Sequence, residues 1–197
     1  MPQTFTHTFD TAFFKGKVEL PTGLFIDGQW VDGSEGKTID VINPTTGKKI
    51  VDVAEGTSRD VDIAVKAAQK AFDTTWGLNA PGSVRAKFLS RLADIMEQHA
   101  DELAAIESLD NGKTFKWARY IDTASTIEII RYYSGWADKI QGKTIETNES
   151  KLVYTRHEPI GVVISKSVKT WQGHTRPCKV AISRKGSPGS PGLTRPP

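Results

Sequence analysis

Beyond residue 57, apolar side chains return every three to four residues. Val61, Ala64, Val65, Ala68, Ala71 and Phe72 share one face of a predicted helix. Thr57 or Ser58 can cap it, and Asp60 lies near its positive end. Residues 76–82 break the pattern, and Ser83 opens a second helix with a stripe of Val84, Phe88, Leu92, Ile95 and Met96. A third helix is predicted over 101–109. It is stopped by Asn111-Gly112, a pair suited to leaving a helix in the left-handed conformation. The fourth and longest covers 117–141 and closes at Gly142. Ile121, Ala124, Ile127, Ile130, Ser134 and Ala137 mark one of its faces. Tyr120, Ile129, Tyr132, Tyr133 and Trp136 widen that surface beyond a narrow stripe, so this helix is built to pack against more than its helical neighbours.

Ahead of the helices the period changes to that of strands. Asp27-Gly28 sits between Leu24-Phe25-Ile26 and Gln29-Trp30-Val31, a strong hairpin signal because a type I′ turn needs positive φ at both central positions. Residues 38–42 and 49–53 are β-branched runs separated by Asn43-Pro44-Thr45-Thr46-Gly47, which is rich in turn chemistry. Together these predict a small antiparallel meander. Residues 1–20 show no clear period and read as a flexible arm. Past Gly142, residues 144–147 and 152–155 predict a hairpin turning through Asn148-Glu149-Ser150, with one face in water. Pro159 then disfavours helix at Glu158, and Ile160, Val162 and Val163 predict the start of another strand.

Charge divides the chain at the same place. Residues 164–197 carry seven Lys or Arg and no Asp or Glu, leaving 19 basic and 23 acidic side chains before them. The overall charge of +3 and the pI near 8.9 therefore come from this tail. With Ser187-Pro188-Gly189-Ser190-Pro191-Gly192 and only scattered apolar residues, the tail reads as disordered. A single cysteine, Cys178, excludes an internal disulfide and suits a reducing compartment. The first residues lack the pattern of a targeting peptide, and no run is long and apolar enough to span a membrane. These features describe a soluble, cytoplasmic chain.

The local motifs fail on inspection. Gly36-Lys37-Thr38 ends like a phosphate-binding loop, but the first glycine of that motif would stand at Val31, and strand rather than helix follows. His157-Glu158 begins like a zinc motif, yet Gly161 holds the place of the second histidine and Pro159 prevents the helix. His7, His99 and His174 are too scattered to be ligands and read as surface residues. Asn148-Glu149-Ser150 matches a glycosylation sequon without a secretion signal. Cys178, between Pro177 and Lys179, lacks the environment of a catalytic thiol. The basic tail, with Trp171, raises nucleic-acid binding, but seven charges without a nucleic-acid module do not carry that reading.

Longer blocks carry more. Phe25-Ile26-Asp27-Gly28-Gln29-Trp30, Val41-Ile42-Asn43-Pro44-Thr45-Thr46-Gly47, Val53-Ala54-Glu55-Gly56 and Ala64-Val65-Lys66-Ala67-Ala68 come first. Arg91-Leu92-Ala93-Asp94, Leu109-Asp110-Asn111-Gly112-Lys113, the run from Arg131 to Lys139 and the run from Tyr154 to Val162 continue them. In order and spacing they resemble the N-terminal portion of the NAD(P)-dependent aldehyde dehydrogenases, especially the fungal, tetrameric class. The resemblance implies an α/β fold. This chain would hold the N-terminal part of it: an antiparallel β meander, four helices, the β-hairpin of the oligomerisation element and an incomplete doubly wound sheet. The implied layout is an arm at 1–20, a partial cofactor-binding domain at 21–142, the hairpin and the next strand at 143–163, and an unrelated tail at 164–197.

The resemblance implies oxidation of aldehydes to carboxylic acids with NAD(P). The family's ribose-holding lysine, phosphate turn, general-base glutamate, nucleophilic cysteine and oxyanion asparagine find no match here after Val163. No catalytic, cofactor-binding or metal residue is therefore assigned, and the chain is expected to be inactive alone. The family's monovalent-cation site would use the Ile42 carbonyl and Asp110, but its third ligand falls past the seam, so that site is not carried over. The alternative expectation is a noncatalytic module that pairs, through the 143–163 hairpin, with full-length subunits or with itself. The wide face around Tyr132, Tyr133 and Trp136 is expected to be left exposed.

Overall fold

A computed structural model describes residues 3–163, together with the backbone of two short strands, Lys166–Val168 and Pro177–Lys179. The chain begins with a hairpin of β1 (Thr4–Asp10) and β2 (Lys15–Pro21). This corrects the expected arm. Phe5, His7 and Phe9 alternate with threonines along β1 and stand opposite Leu20, Val18 and Gly16. That alternation is a strand period, disguised because one apolar place is taken by histidine. Thr11 closes the turn by accepting the amides of Phe13 and Phe14 on its hydroxyl.

β3 (Leu24–Ile26) and β4 (Gln29–Val31) pair through the turn the sequence predicts, with Asp27 at φ 51° and Gly28 at φ 77°. β5 (Thr38–Ile42) and β6 (Lys49–Ala54) pair through the 43–47 segment, where the Asn43 side chain accepts from the amides of Thr45 and Thr46. The meander is thus made of separate two-stranded ribbons rather than one sheet. Single bonds join them, such as Ala54 N–H to the Thr22 carbonyl at 2.8 Å.

Four helical segments follow, as predicted. They are α1 (Ser58–Thr74), α2 (Gly82–Gln98), α3 (Ala100–Asn111) and a composite of α4 (Phe115–Trp117), a π-helical stretch (Ala118–Thr123) and α5 (Ala124–Trp136). The composite ends before the predicted Gln141. Its last carbonyls are claimed from outside the helix: Ala137 O accepts from Arg85 at 2.9 Å, and Gly135 O accepts from Lys139 at 2.6 Å. The π turn also shifts the stripe. Ala118, Thr123 and Ile127 are buried, a spacing of five and then four, so Ile121 falls off the inner face and is exposed.

Two small cores result. One joins Phe9, Val18 and Ala105, packed by Phe14, Leu20, Ile106, Leu109 and Phe115, so the N-terminal hairpin is seated on α3. The other joins Ala93, Ala100 and Ile127 with Met96 and Ile130. Val18, at 1% exposure, is the largest fully buried side chain among the described residues. Alanines dominate the rest. α2 therefore turns Ala93 inward, and Val84, Phe88, Leu92 and Ile95 of the predicted stripe stay exposed.

β7 (Thr144–Ile145) and β8 (Val153–Tyr154) form the predicted hairpin, shorter than expected and exposed on both faces. The strand expected from Ile160 is absent: residues 160–163 have no partner strand, and Gly161 sits at φ 114°. β9 (Lys166–Val168) and β10 (Pro177–Lys179) pair antiparallel within the tail, and the rest of the expected disordered tail lies outside the described residues. Every described strand pair is antiparallel, and no described helix is long and apolar enough to cross a membrane.

Candidate functional site

α2 and α5 pack closely along small side chains. Ser134 donates its hydroxyl to the Ala86 carbonyl at 2.8 Å, and Arg131 bridges Asp94 at 2.7 Å and Glu97 at 2.5 Å. Because the contact uses the small residues, the large ones are turned outward. Phe88 and Leu92 of α2, with Tyr132, Tyr133 and Trp136 of α5, line an open apolar groove that Trp76 and Ile140 extend. Tyr132 is 59% exposed and Trp136 50%. The rings are ordered against one another, Tyr132 edge-on to Tyr133 at 5.3 Å and Trp76 tilted against Phe88 at 5.6 Å. The sequence expectation that this face is left open is met.

A second recess adjoins the groove and shares Trp76, Arg85 and Ile140 with it. Its far wall is the segment from Tyr154 to Gly161, where the family-like blocks end. Arg85 stands between the two hollows, but its guanidinium is committed to the carbonyls of Ala80 at 2.5 Å and Ala137 at 2.9 Å. It therefore offers no free fork for an anion.

Of the motifs set aside in the sequence, the segment 33–36 has a structural role. Gly33 to Gly36 is a turn closed by the Gly36 N–H on the Gly33 carbonyl at 3.0 Å, and Lys37 pairs with Glu35 at 2.6 Å before β5 begins. His157 lines the second recess with Glu158, and no group of three or more metal-ligating side chains occurs among the described residues. His7 departs from expectation: it is half-buried between Phe5 and Phe9, with centroids at 5.9 and 4.5 Å. His99 is exposed and bonded to Glu102 at 2.8 Å. His174 lies outside the described residues, and Cys178 falls in β10.

The strongest electrostatic arrangement is structural. Asp60, 5% exposed, accepts the amide and hydroxyl of Thr57 at 2.8 and 2.9 Å and those of Ser34 at 3.0 and 3.1 Å. The Thr57 amide is the main cause holding its carboxyl below the usual range, with the Thr57 hydroxyl and both Ser34 groups acting the same way. Reasoning from the sequence found the cap but not Ser34, whose partner is 26 residues away. Lys113 is held charged above its ordinary range, first by Asp122 at 2.7 Å and then by Glu107 at 3.2 Å.

Among the described residues there is no parallel strand leading into a glycine-rich turn of the kind that receives a dinucleotide pyrophosphate, and the guanidinium that lines the aromatic groove, that of Arg85, is engaged by backbone carbonyls. The groove can cover or be covered by apolar surface.

Comparison with known proteins places this architecture. The family model for the aldehyde dehydrogenase family matches residues 30–168. An aldehyde dehydrogenase of Agaricus bisporus is 56% identical over 163 residues, covering 83% of this chain and 33% of its own length. One from Emericella nidulans is 55% identical, covering 74% of this chain and 29% of its own. Among solved structures, the NAD+ complex of the Bacillus cereus aldehyde dehydrogenase superposes with a TM-score of 0.68 at 42% identity, covering 71% of this chain and 28% of that one. The chain thus spans about a third of the length of the relatives it matches. On these matches, the protein belongs to the aldehyde dehydrogenase family.

Proposed function

We propose that this chain carries the N-terminal scaffold of an NAD(P)-dependent aldehyde-oxidising enzyme and oxidises no aldehyde on its own. The observation that supports this is the open aromatic groove between α2 and α5, next to the recess walled by residues 154–161. Large apolar side chains held in order but uncovered mark a surface made to lie under further structure. The cysteine expected to be inert, Cys178, belongs to the strand pair past the seam. A single cysteine and the lack of a membrane-crossing helix among the described residues support a cytoplasmic setting. The test mixes the purified chain with short aliphatic and aromatic aldehydes and either NAD or NADP. No rise in reduced-cofactor absorbance is expected, and turnover by this chain alone would overturn the proposal.

A second reading, a noncatalytic module that joins full-length subunits or another copy, is favoured by the hairpin. Ile145, Leu152 and Tyr154 are exposed along β7, its turn and β8, Leu152 by 79%, and both edges of the ribbon are open. Size-exclusion chromatography with a complete family enzyme decides it. Co-elution supports the module, and separate peaks at micromolar concentration remove it.

A further inference from the structure

α3 ends on Asn111, and the next residue, Gly112, leaves the helix at φ 78°. Asn-Gly is the dipeptide most open to self-modification, because glycine puts no side chain in the way of ring closure. The Gly112 nitrogen attacks the Asn111 side-chain carbon, a C–N bond forms, and the carboxamide nitrogen leaves as ammonia. Water then opens the cyclic imide to aspartate or isoaspartate. The balance is one water in and one ammonia out, with no oxidant or reductant.

The fold holds every participant away from that reaction. The Gly112 N–H donates to the Ser108 carbonyl at 3.0 Å, so the attacking nitrogen is engaged in the helix cap. The Asn111 carboxamide is held at both ends: its Nδ2 donates to Glu107 Oε1, and its Oδ1 accepts from the Lys113 amide at 2.9 Å. Glu107 also takes the Lys113 ammonium, which reaches on to Asp122 in the π segment. The 43–47 turn lies over the same corner, with Pro44 Cγ 2.8 Å from where a Cβ on Gly112 would stand. Helical backbone at Asn111 also keeps the carboxamide out of line with the next nitrogen.

We propose that Asn111-Gly112 is a latent deamidation site, closed while the last turn of α3 is formed and opened when that turn loses its packing. The change then persists. A carboxylate at 111 faces Glu107 where the carboxamide donated, and it adds negative charge at the negative end of α3. The turn that opened cannot re-form as before, so deamidated chains record past opening.

The test follows the tryptic peptide of residues 92–113 by mass spectrometry, scoring deamidation and isoaspartate at Asn111. Three samples are compared at neutral pH: the whole chain in buffer, the whole chain in urea, and a synthetic peptide spanning the motif. Breaking the three hydrogen bonds that hold the Gly112 amide and the Asn111 carboxamide predicts conversion about tenfold or more slower in buffer than in the other two. Glu107→Ala should speed conversion of the chain in buffer and leave the rate in urea unchanged. Equal rates in all three wild-type samples would overturn the proposal. An Asn111→Asp chain with an unchanged urea midpoint would overturn its persistence.

Discussion

Ser34 and Asp60 are joined twice, amide to Oδ1 at 3.0 Å and hydroxyl to Oδ2 at 3.1 Å, so the β4–β5 connection is fastened to the first turn of α1. The same carboxylate caps its own helix through Thr57. One side chain therefore fixes where the ribbons meet the helices.

Asp60→Asn should lower stability by about 2 kcal/mol, since charge-assisted bonds to a buried carboxylate are lost or weakened. The pH dependence has a definite sign. The folded-state pKa is depressed, so the stability from Asp60 is complete above its unfolded pKa of about 4 and disappears as pH falls through the lower folded value. Urea titrations below about pH 4 should show a larger acid loss in the wild type than in the Asn variant.

Arg85→Lys keeps the charge but gives up the fork that reaches both the Ala80 and Ala137 carbonyls. A loss of about 1 kcal/mol is expected, because one half-buried carbonyl is left without its donor. Hydrogen exchange should quicken at the end of α5 and leave α3 unchanged.

Gly82→Ala tests how closely α2 starts against the end of α5. A Cβ there would lie 2.5 Å from both the Ala137 oxygen and the Asp138 Cα, backbone atoms that cannot swing aside. The expected cost is about 1–3 kcal/mol, read as a lower melting temperature.

Tyr132→Glu with Trp136→Glu should leave urea stability within about 0.5 kcal/mol, since both side chains are at least half exposed. Binding of an apolar fluorescent dye and light scattering at high concentration should both fall. Unchanged dye binding would show that the groove is not the sticky surface of this chain.

Helix existence was legible along the chain because the stripes repeat over many residues, and Asn111-Gly112 and Asp27-Gly28 announce conformations few other residues take. The aromatic breadth of the last helix called for packing beyond its helical neighbours, and it was the likeness to aldehyde dehydrogenases, not the breadth, that led to an open face being expected there. The first hairpin was hidden, since His7 and Gly16 occupy two of the places where alternation calls for apolar side chains. Which stripe α2 would bury was also unreadable: period alone does not rank Ala93 above Phe88.

The sequence by itself determined the four helical segments, the hairpins from residue 24 onward, the turn chemistry and the likeness to aldehyde dehydrogenases, because these rest on local spacing and on ordered blocks of residues. Only the tertiary structure decided that small side chains would face inward and aromatic ones outward, that Ser34 would meet Asp60, and that the last helix would stop at Trp136. Each of those depends on groups far apart in the chain competing for the same space or the same hydrogen-bonding partner.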